Sequence, residues 1–275
     1  MTNRPASLVL NRDRGRAGGA AAARGRVAIV GAGPGDADLL TLRAVTWLRR
    51  ADVVVHDRLI GPGVLAYARP DARLIDVGKA PGGRGHSQAA IGALLVHHAR
   101  AGRRVVRLKG GDPLIFGRGG EEFDTLCRHG IAVEVVPGIT AALGCAAAAG
   151  IPLTQRGCSR AVTFLTGATA DGLADLDWTA LVRLGQTLVV YMGVAAAGAI
   201  AERLIGSGLA PDTPVAVIEN GTLPGQRIVA ASVATLGETV EKQAIRAPAL
   251  LVIGEVARRA ADAAAWASSG HREMA

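Results

Sequence analysis

From Arg26 onward, apolar positions fall into short β-branched runs that alternate with segments of helical spacing. Val27 to Val30 reads as a strand that ends in glycines, and Asp38 to Arg50 reads as a helix with Leu39, Leu40, Leu42, Val45 and Leu48 on its apolar side. Asp52 to His56 and Arg73 to Val77 are strands, Ser87 to Ala101 is a helix with Ser87 as its N-cap, and Arg104 to Leu108 is a further strand. A helix over Gly119 to His129, a strand over Ala132 to Val136 and a Gly/Ala-rich helix over Ala141 to Ala149 follow. Such alternation predicts a mostly parallel sheet covered by helices.

A second series then begins. Strands are expected at Ala161 to Leu165, Thr187 to Tyr191, Pro214 to Glu219, Arg227 to Ala231 and Ala249 to Ile253, with helices at Trp178 to Leu184, Ala195 to Ser207 and Thr235 to Gln243. The division expected is a disordered basic extension over 1–25, a first α/β domain over 26–137, a linker region over 138–160, a second α/β domain over 161–258 and a tail over 259–275. No sequence repeat recurs at a fixed period.

Composition narrows the function classes. The 275 residues are 49% hydrophobic but only 3% aromatic, so the core is aliphatic and there is little material for stacking bases. Of the formal charge of +8, residues 1–26 supply +5 through six Arg and Asp13, leaving about +3 for the body. That tail reads as a solvated extension and not as a nucleic-acid site. Cys127, Cys145 and Cys158 have no CxxC spacing, and their odd number argues against a disulfide framework; a reduced, cytoplasmic setting is expected. The longest uncharged stretch, Val135 to Gln155, is broken by Pro137, Gly138, Gly144, Gly150 and Pro152, so no membrane association is expected.

Candidate chemistry lies in two glycine loops. Gly31-Ala-Gly-Pro-Gly-Asp36 follows a strand and precedes a helix, where a doubly wound protein brings backbone close to a ligand. Its spacing is GxGxG, not GxGxxG, and Pro34 removes a backbone N–H that a pyrophosphate cradle would use. The second loop, Arg107-Leu-Lys-Gly-Gly-Asp-Pro-Leu-Ile-Phe-Gly-Arg-Gly-Gly-Glu-Glu122, has Gly110 and Gly111 for close approach or positive φ, and Asp112 as an acceptor. The histidines His97, His98, His129 and His271 show no metal-ligand spacing and are expected to be exposed; no metal is expected.

With these loops stand GAGPGDADLLTLRA (Gly31 to Ala44), HDRLI (His56 to Ile60), VGK (Val77 to Lys79), VVRLKGGDPLIFGRGGEE (Val105 to Glu122), VVPGITAALGCAAAAGIPLTQR (Val135 to Arg156), TLVVYMG (Thr187 to Gly193), PVAVIENGT (Pro214 to Thr222) and PALLVIGEV (Pro248 to Val256). In this order they strongly resemble uroporphyrinogen-III C-methyltransferases of the tetrapyrrole methylase family, over about Arg26 to Val256.

The resemblance implies two α/β domains of the tetrapyrrole methylase type, a homodimer, and S-adenosylmethionine bound in the cleft between the domains. It implies C-methylation of uroporphyrinogen III at C2 and C7, giving precorrin-2 by way of precorrin-1, within siroheme or cobalamin biosynthesis. The alternative is another methyltransferase of the same fold acting on a later corrin precursor. Carried over by motif, the cofactor contacts are Pro34, Gly110, Gly111, Asp112, Ile115, Thr140, Ala141, Met192 and Gly221, with Asp57 as proton acceptor and Lys79 as proton donor. Arg58, Arg84, Arg107, Arg118 and Arg156 are candidate anchors for the carboxylates of the substrate. Gln155 stands where the family commonly has His, and the RGHSQ loop around His86 is shorter than the family's. Nothing ahead of Arg26 is expected to be a dehydrogenase or chelatase domain.

Overall fold

The computed structural model describes residues 25–78, 86–169 and 172–260. Residues 1–24 of the expected basic extension, most of the tail, Lys79, Arg84 and His271 lie outside them.

Strands β1 (Arg26–Gly31), β2 (Val53–His56), β3 (Arg73–Asp76), β4 (Arg104–Lys109) and β5 (Ala132–Val136) form one sheet in the order β3-β2-β4-β1-β5. Every pairing in it is parallel, with Val27 opposite Val105 on one side and Val133 on the other. Because strand side chains alternate between faces, Val27, Ile29, Val53, Val55 and Val105 pack under helices α2 (Gln88–Arg100) and α3 (Gly119–Arg128), while Ala28, Val30, Val54, Val106 and Leu108 pack under α1 (Leu42–Leu48). Ser87 caps α2 as expected, its side chain accepting from the Ala90 N–H.

The helix expected over Asp38 to Arg50 is two pieces. Asp36 caps a short 3-10 turn over Ala37–Leu39, Leu40 is extended, and Thr41 then caps α1 by accepting from the Ala44 N–H. Each of these closely spaced N-cap residues satisfies a donor of its own, and each starts its own element.

Helix α4 (Ala141–Ala148) follows β5. The second sheet joins β6 (Val162–Thr166), β9 (Thr187–Tyr191), β10 (Pro214–Glu219), β11 (Arg227–Ser232) and β12 (Ala249–Ile253) in the order β11-β10-β12-β9-β6, beside a small hairpin of β7 (Ala168–Thr169) and β8 (Gly172–Leu173). Only β6 and β9 pair in parallel; β9 with β12, β12 with β10 and β10 with β11 are antiparallel. Hence β6, β9 and β10 run in the same direction and deliver their carboxyl ends to one edge. Helices α5 (Trp178–Arg183), α6 (Ala197–Gly206) and α7 (Leu236–Lys242) cover one face, and α4 covers the other through Ala142 and Cys145 against Val189, Ala216, Ile218 and Val252. Among the described residues no helix is long and apolar enough to cross a membrane.

Candidate functional site

The loops that leave the carboxyl ends of the first sheet are packed backbone against backbone. Gly33 and Gly111 exchange hydrogen bonds, the Gly111 N–H donating to Gly33 O at 2.7 Å and the Gly33 N–H donating to Gly111 O at 3.2 Å. A Cβ on Gly138 would lie 2.2 Å from Gly111 O, and one on Gly31 would lie 2.5 Å from the Gly138 nitrogen. No side chain fits at either position, so glycine there is a steric requirement. Asp112 closes the arrangement: one carboxylate oxygen accepts from the Leu114 N–H at 2.9 Å and the other from the Gly138 N–H at 3.1 Å.

Helix α4 links these loops to the second sheet, and its small residues are the means. A Cβ on Gly144 would lie 2.4 Å from Pro34 Cγ, and one on Gly221 would lie 2.3 Å from Cys145 Sγ. The first glycine loop therefore rests on one side of α4 and the turn after β10 on another. Across the junction the Asp36 N–H donates to Thr222 Oγ1 at 3.1 Å. Burial pushes the Cys145 thiol up to about 11.

At the start of α4, Thr140 is the N-cap, yet its hydroxyl makes no cap hydrogen bond. It shares a 2.6 Å hydrogen bond with the Tyr191 hydroxyl, which also accepts from the Ala142 N–H at 2.9 Å. The ring of Phe116, from the second glycine loop, packs on Tyr191 with centroids 4.9 Å apart. Burial raises the Tyr191 phenol above its ordinary range, against the two hydrogen bonds, which lower it.

Five of the six non-glycine residues with positive φ among the described residues lie in these loops: Phe116, Arg118, Met192, Asn220 and Thr222. A β-branched residue in this region is an outlier, and such strain clusters where a chain is held for function.

The structure thus draws together Pro34, Gly111, Asp112, Thr140, Ala141 and Gly221 through direct contacts or chain adjacency, with Gly110 beside them. Ile115 and Met192 stand next to the Phe116–Tyr191 pair, and their side chains are exposed. Asp57, at the end of β2, is adjacent: a Cβ on Gly110 would lie 3.0 Å from Leu59 O, so the Asp57–Leu59 turn lies against the second glycine loop. The Asp57 side chain is 31% exposed, and one oxygen accepts from Arg107 Nη2 at 2.5 Å.

Arg107 is not available to substrate. It is only 1% exposed, and its Nε donates to Glu122 Oε1 at 3.0 Å. Lys109 Nζ donates to the same oxygen at 3.0 Å, and Gln88 Nε2 does so at 2.9 Å. The alternation that buries Val105 places Arg107 and Lys109 on the same face, beneath α3. Glu122 lies on the buried stripe of α3 with Gly119 and Leu126. A charged residue on that stripe was the signal for a buried ion cluster, since a charge there needs a partner. Arg58, Arg118 and Arg156 are exposed, Arg118 being paired with Glu121. His98, expected at the surface, is instead 4% exposed on the inner side of α2, with Arg103 Nη1 3.4 Å from its Nδ1. Helical spacing puts it next to Leu95 and Ala99, and burial lowers its pKa.

Residues 26–237 match the family model for tetrapyrrole (corrin/porphyrin) methylases. A siroheme synthase of Azotobacter vinelandii is 52% identical over 250 residues, covering 91% of this chain and 54% of that protein. One from Pseudomonas aeruginosa is 48% identical over 276 residues, covering 100% of this chain and 59% of that protein. The chain thus spans little more than half the length of these curated relatives. Among solved structures, a uroporphyrin-III C-methyl transferase from Thermus thermophilus complexed with S-adenyl homocysteine is 45% identical, with a TM-score of 0.74 over 85% of this chain and 99% of that one. A cobalt precorrin-4 methyltransferase is 28% identical, with a TM-score of 0.77 over 84% of this chain and 95% of that one.

Proposed function

The chain belongs to the tetrapyrrole methylase family, and from that premise we propose that it transfers methyl groups from S-adenosylmethionine to C2 and C7 of uroporphyrinogen III, giving precorrin-2 by way of precorrin-1. The product serves siroheme or cobalamin synthesis, in the cytoplasm, and the enzyme works as a homodimer. Its first domain is 26–137 and its second 161–258, joined through 138–160.

The observation that carries this reading is the junction where glycine-backed loops of the first sheet meet Met192 and Gly221 of the second, with α4 between them. Its residues fit the cofactor. Gly110 and Gly111 are half-buried and carry no side chain, Ile115 and Met192 offer apolar side chains that are 37% and 54% exposed, and Gly221 lets the turn after β10 close against Cys145 of α4. Pro34, Asp112, Thr140 and Ala141 complete the lining, Asp112 chiefly by holding Gly138 to the second glycine loop. When bound, S-adenosylmethionine supplies an electrophilic sulfonium methyl.

The protein's part is orientation and proton traffic. Attack by an electron-rich pyrrole carbon leaves a cationic ring system, which must lose a proton. Asp57 takes that role, its carboxyl held in place by Arg107 and still open to solvent. Lys79, which follows Val77-Gly78, returns a proton to the macrocycle. Arg58, Arg118 and Arg156 supply the exposed positive charge for substrate carboxylates.

Turnover of uroporphyrinogen III by the purified chain, by Asp57→Asn and by Lys79→Ala tests the reading. Each variant is expected to lose roughly 100-fold or more in kcat while S-adenosylhomocysteine affinity stays within about threefold of the unsubstituted chain, a small effect on the affinity scale. Near-normal turnover in both variants would remove the proton-transfer roles. Methylation of a later corrin precursor, with none of uroporphyrinogen III, would replace the substrate.

A further inference from the structure

We propose that Tyr191 is a positioning residue that joins the three cofactor-binding segments, holding the start of α4 and the second glycine loop in register with the turn after β9. The proposal rests on the cofactor site described above, and it assigns a role to a side chain outside that set.

A helix leaves its first N–H groups without partners, and an N-cap Thr ordinarily satisfies one with its own hydroxyl. Thr140 does not: its side chain makes no cap hydrogen bond. The N–H of Ala142 donates instead to the Tyr191 hydroxyl, at 2.9 Å, from a strand of the second sheet. Tyr191 therefore caps α4 from outside the helix. The Thr140 hydroxyl, released from capping, shares the 2.6 Å hydrogen bond with the same phenol. Thr140 is buried, at 6% exposure, so its hydroxyl has little other recourse.

The ring adds a second linkage. Phe116 lies 4.9 Å away, centroid to centroid, on the loop that carries Gly110, Gly111, Asp112 and Ile115. Phe164, on β6, lies 6.1 Å away on the sheet side. Phe116 has φ of 52° and is 41% exposed, so its backbone is held in an unfavoured conformation while its ring stays on Tyr191. Met192 follows directly, with φ of 53°. One side chain thereby touches the segment at Thr140–Ala142, touches the loop at Phe116, and sits beside Met192. No covalent, redox or proton-transfer step is assigned to the phenol.

The experiment compares Tyr191→Phe, Thr140→Val and the double variant by isothermal titration with S-adenosylhomocysteine, alongside KM for S-adenosylmethionine and kcat. Tyr191→Phe keeps the ring and its contact with Phe116 and removes both hydrogen bonds. The expected result is about tenfold weaker binding and a similar rise in KM, with kcat within about threefold, as for loss of an interaction made equally in ground and transition states. Thr140→Val should weaken binding too, and the double variant should be no weaker than the weaker single, because both act through one hydrogen-bonded unit. A purely structural role would lower the melting temperature and leave KM unmoved.

Affinity and KM unchanged in a folded Tyr191→Phe protein would overturn the inference, as would fully additive effects in the double variant. Met192→Ala separates this from failure of the site itself. If Met192→Ala weakens binding while Tyr191→Phe does not, the Tyr191 role falls and the site stands; if neither does, both fall.

Discussion

The two sheets reach the same junction by different backbone means. After β1, β4 and β5 of the parallel sheet, Gly31, Gly33, Gly111 and Gly138 let three loops approach with no side chains between them. After β9 and β10 of the mainly antiparallel sheet, Met192, Asn220 and Thr222 take positive φ and keep their side chains. Thr222 shows why: its Oγ1 accepts the Asp36 N–H across the junction, which glycine could not do. The first lobe thus accepts the entropy cost of glycine to bring backbones together. The second holds strained conformations that present side chains. Both obey the rule that ligands bind beyond the carboxyl ends of strands, because β6, β9 and β10 run together although their sheet is mixed.

The contrast is broken most severely at the glycines. In Gly138→Ala the new Cβ would meet only backbone atoms, the nearest at 2.2 Å, and the loops have nowhere to move. We expect a loss above about 4 kcal/mol in urea unfolding, or no folded protein. Gly110→Ala, with its nearest contact at 3.0 Å, should lose far less. A stable Gly138→Ala protein would show that the close approach is not needed.

Next in size is the buried ion cluster of the first lobe. Glu122→Ala leaves Arg107 and Lys109 facing each other without their shared acceptor, and should destabilise by about 3 to 5 kcal/mol. Glu219 in the second lobe, held by Arg227 Nη1 at 2.8 Å and the Arg246 N–H at 2.7 Å, is the matching test. Arg227 is 44% exposed and regains water when its partner goes, so Glu219→Ala should cost less than Glu122→Ala. Equal losses would erase that difference between the lobes.

Cys145, buried between α4 and Gly221, gives a pH signature. Its folded-state pKa is raised from 9.0 to about 11, so the thiol's contribution is complete below pH 9.0 and is lost as pH rises toward 11. Unfolding free energy should fall by roughly 2 to 3 kcal/mol over that window, and Cys145→Ala should flatten the decline. Tyr191, also raised by burial, adds a loss in the same direction above its ordinary value of 10.0. An unchanged slope in Cys145→Ala would place that thiol in contact with solvent.

The smallest effect concerns strain at Met192. Met192→Gly should be about 1 kcal/mol more stable than Met192→Ala, since only glycine takes positive φ freely. Both variants should bind S-adenosylhomocysteine more weakly than the unsubstituted chain. Equal stability of the two would mean that the turn after β9 carries no strain.

Much of this architecture is legible in the sequence. The hydrophobic runs place every strand of both five-stranded sheets to within a residue or two, and the residues proposed from the ordered motifs to line the cofactor site lie about one junction. What is not legible depends on partners distant in the chain. Nothing local in Thr187 to Tyr191 says that its last residue will cap a helix that begins 50 positions earlier, or that β9 will pair antiparallel with β12. Arg107 reads as a free cation because its pairing with Glu122, on the next helix, is set only once α3 is laid over β4. The short hairpin of β7 and β8 has too few residues to set a period.

A crystal structure of the chain with S-adenosylhomocysteine tests the central claim most directly. The ligand is expected between the lobes, touching Gly110, Gly111 and Ile115 on one side and Thr140, Ala141, Met192 and Gly221 on the other. A ligand seated wholly on the first sheet, along Gly31 to Gly35 in the manner of a nucleotide and without contact to Met192 or Gly221, would contradict it.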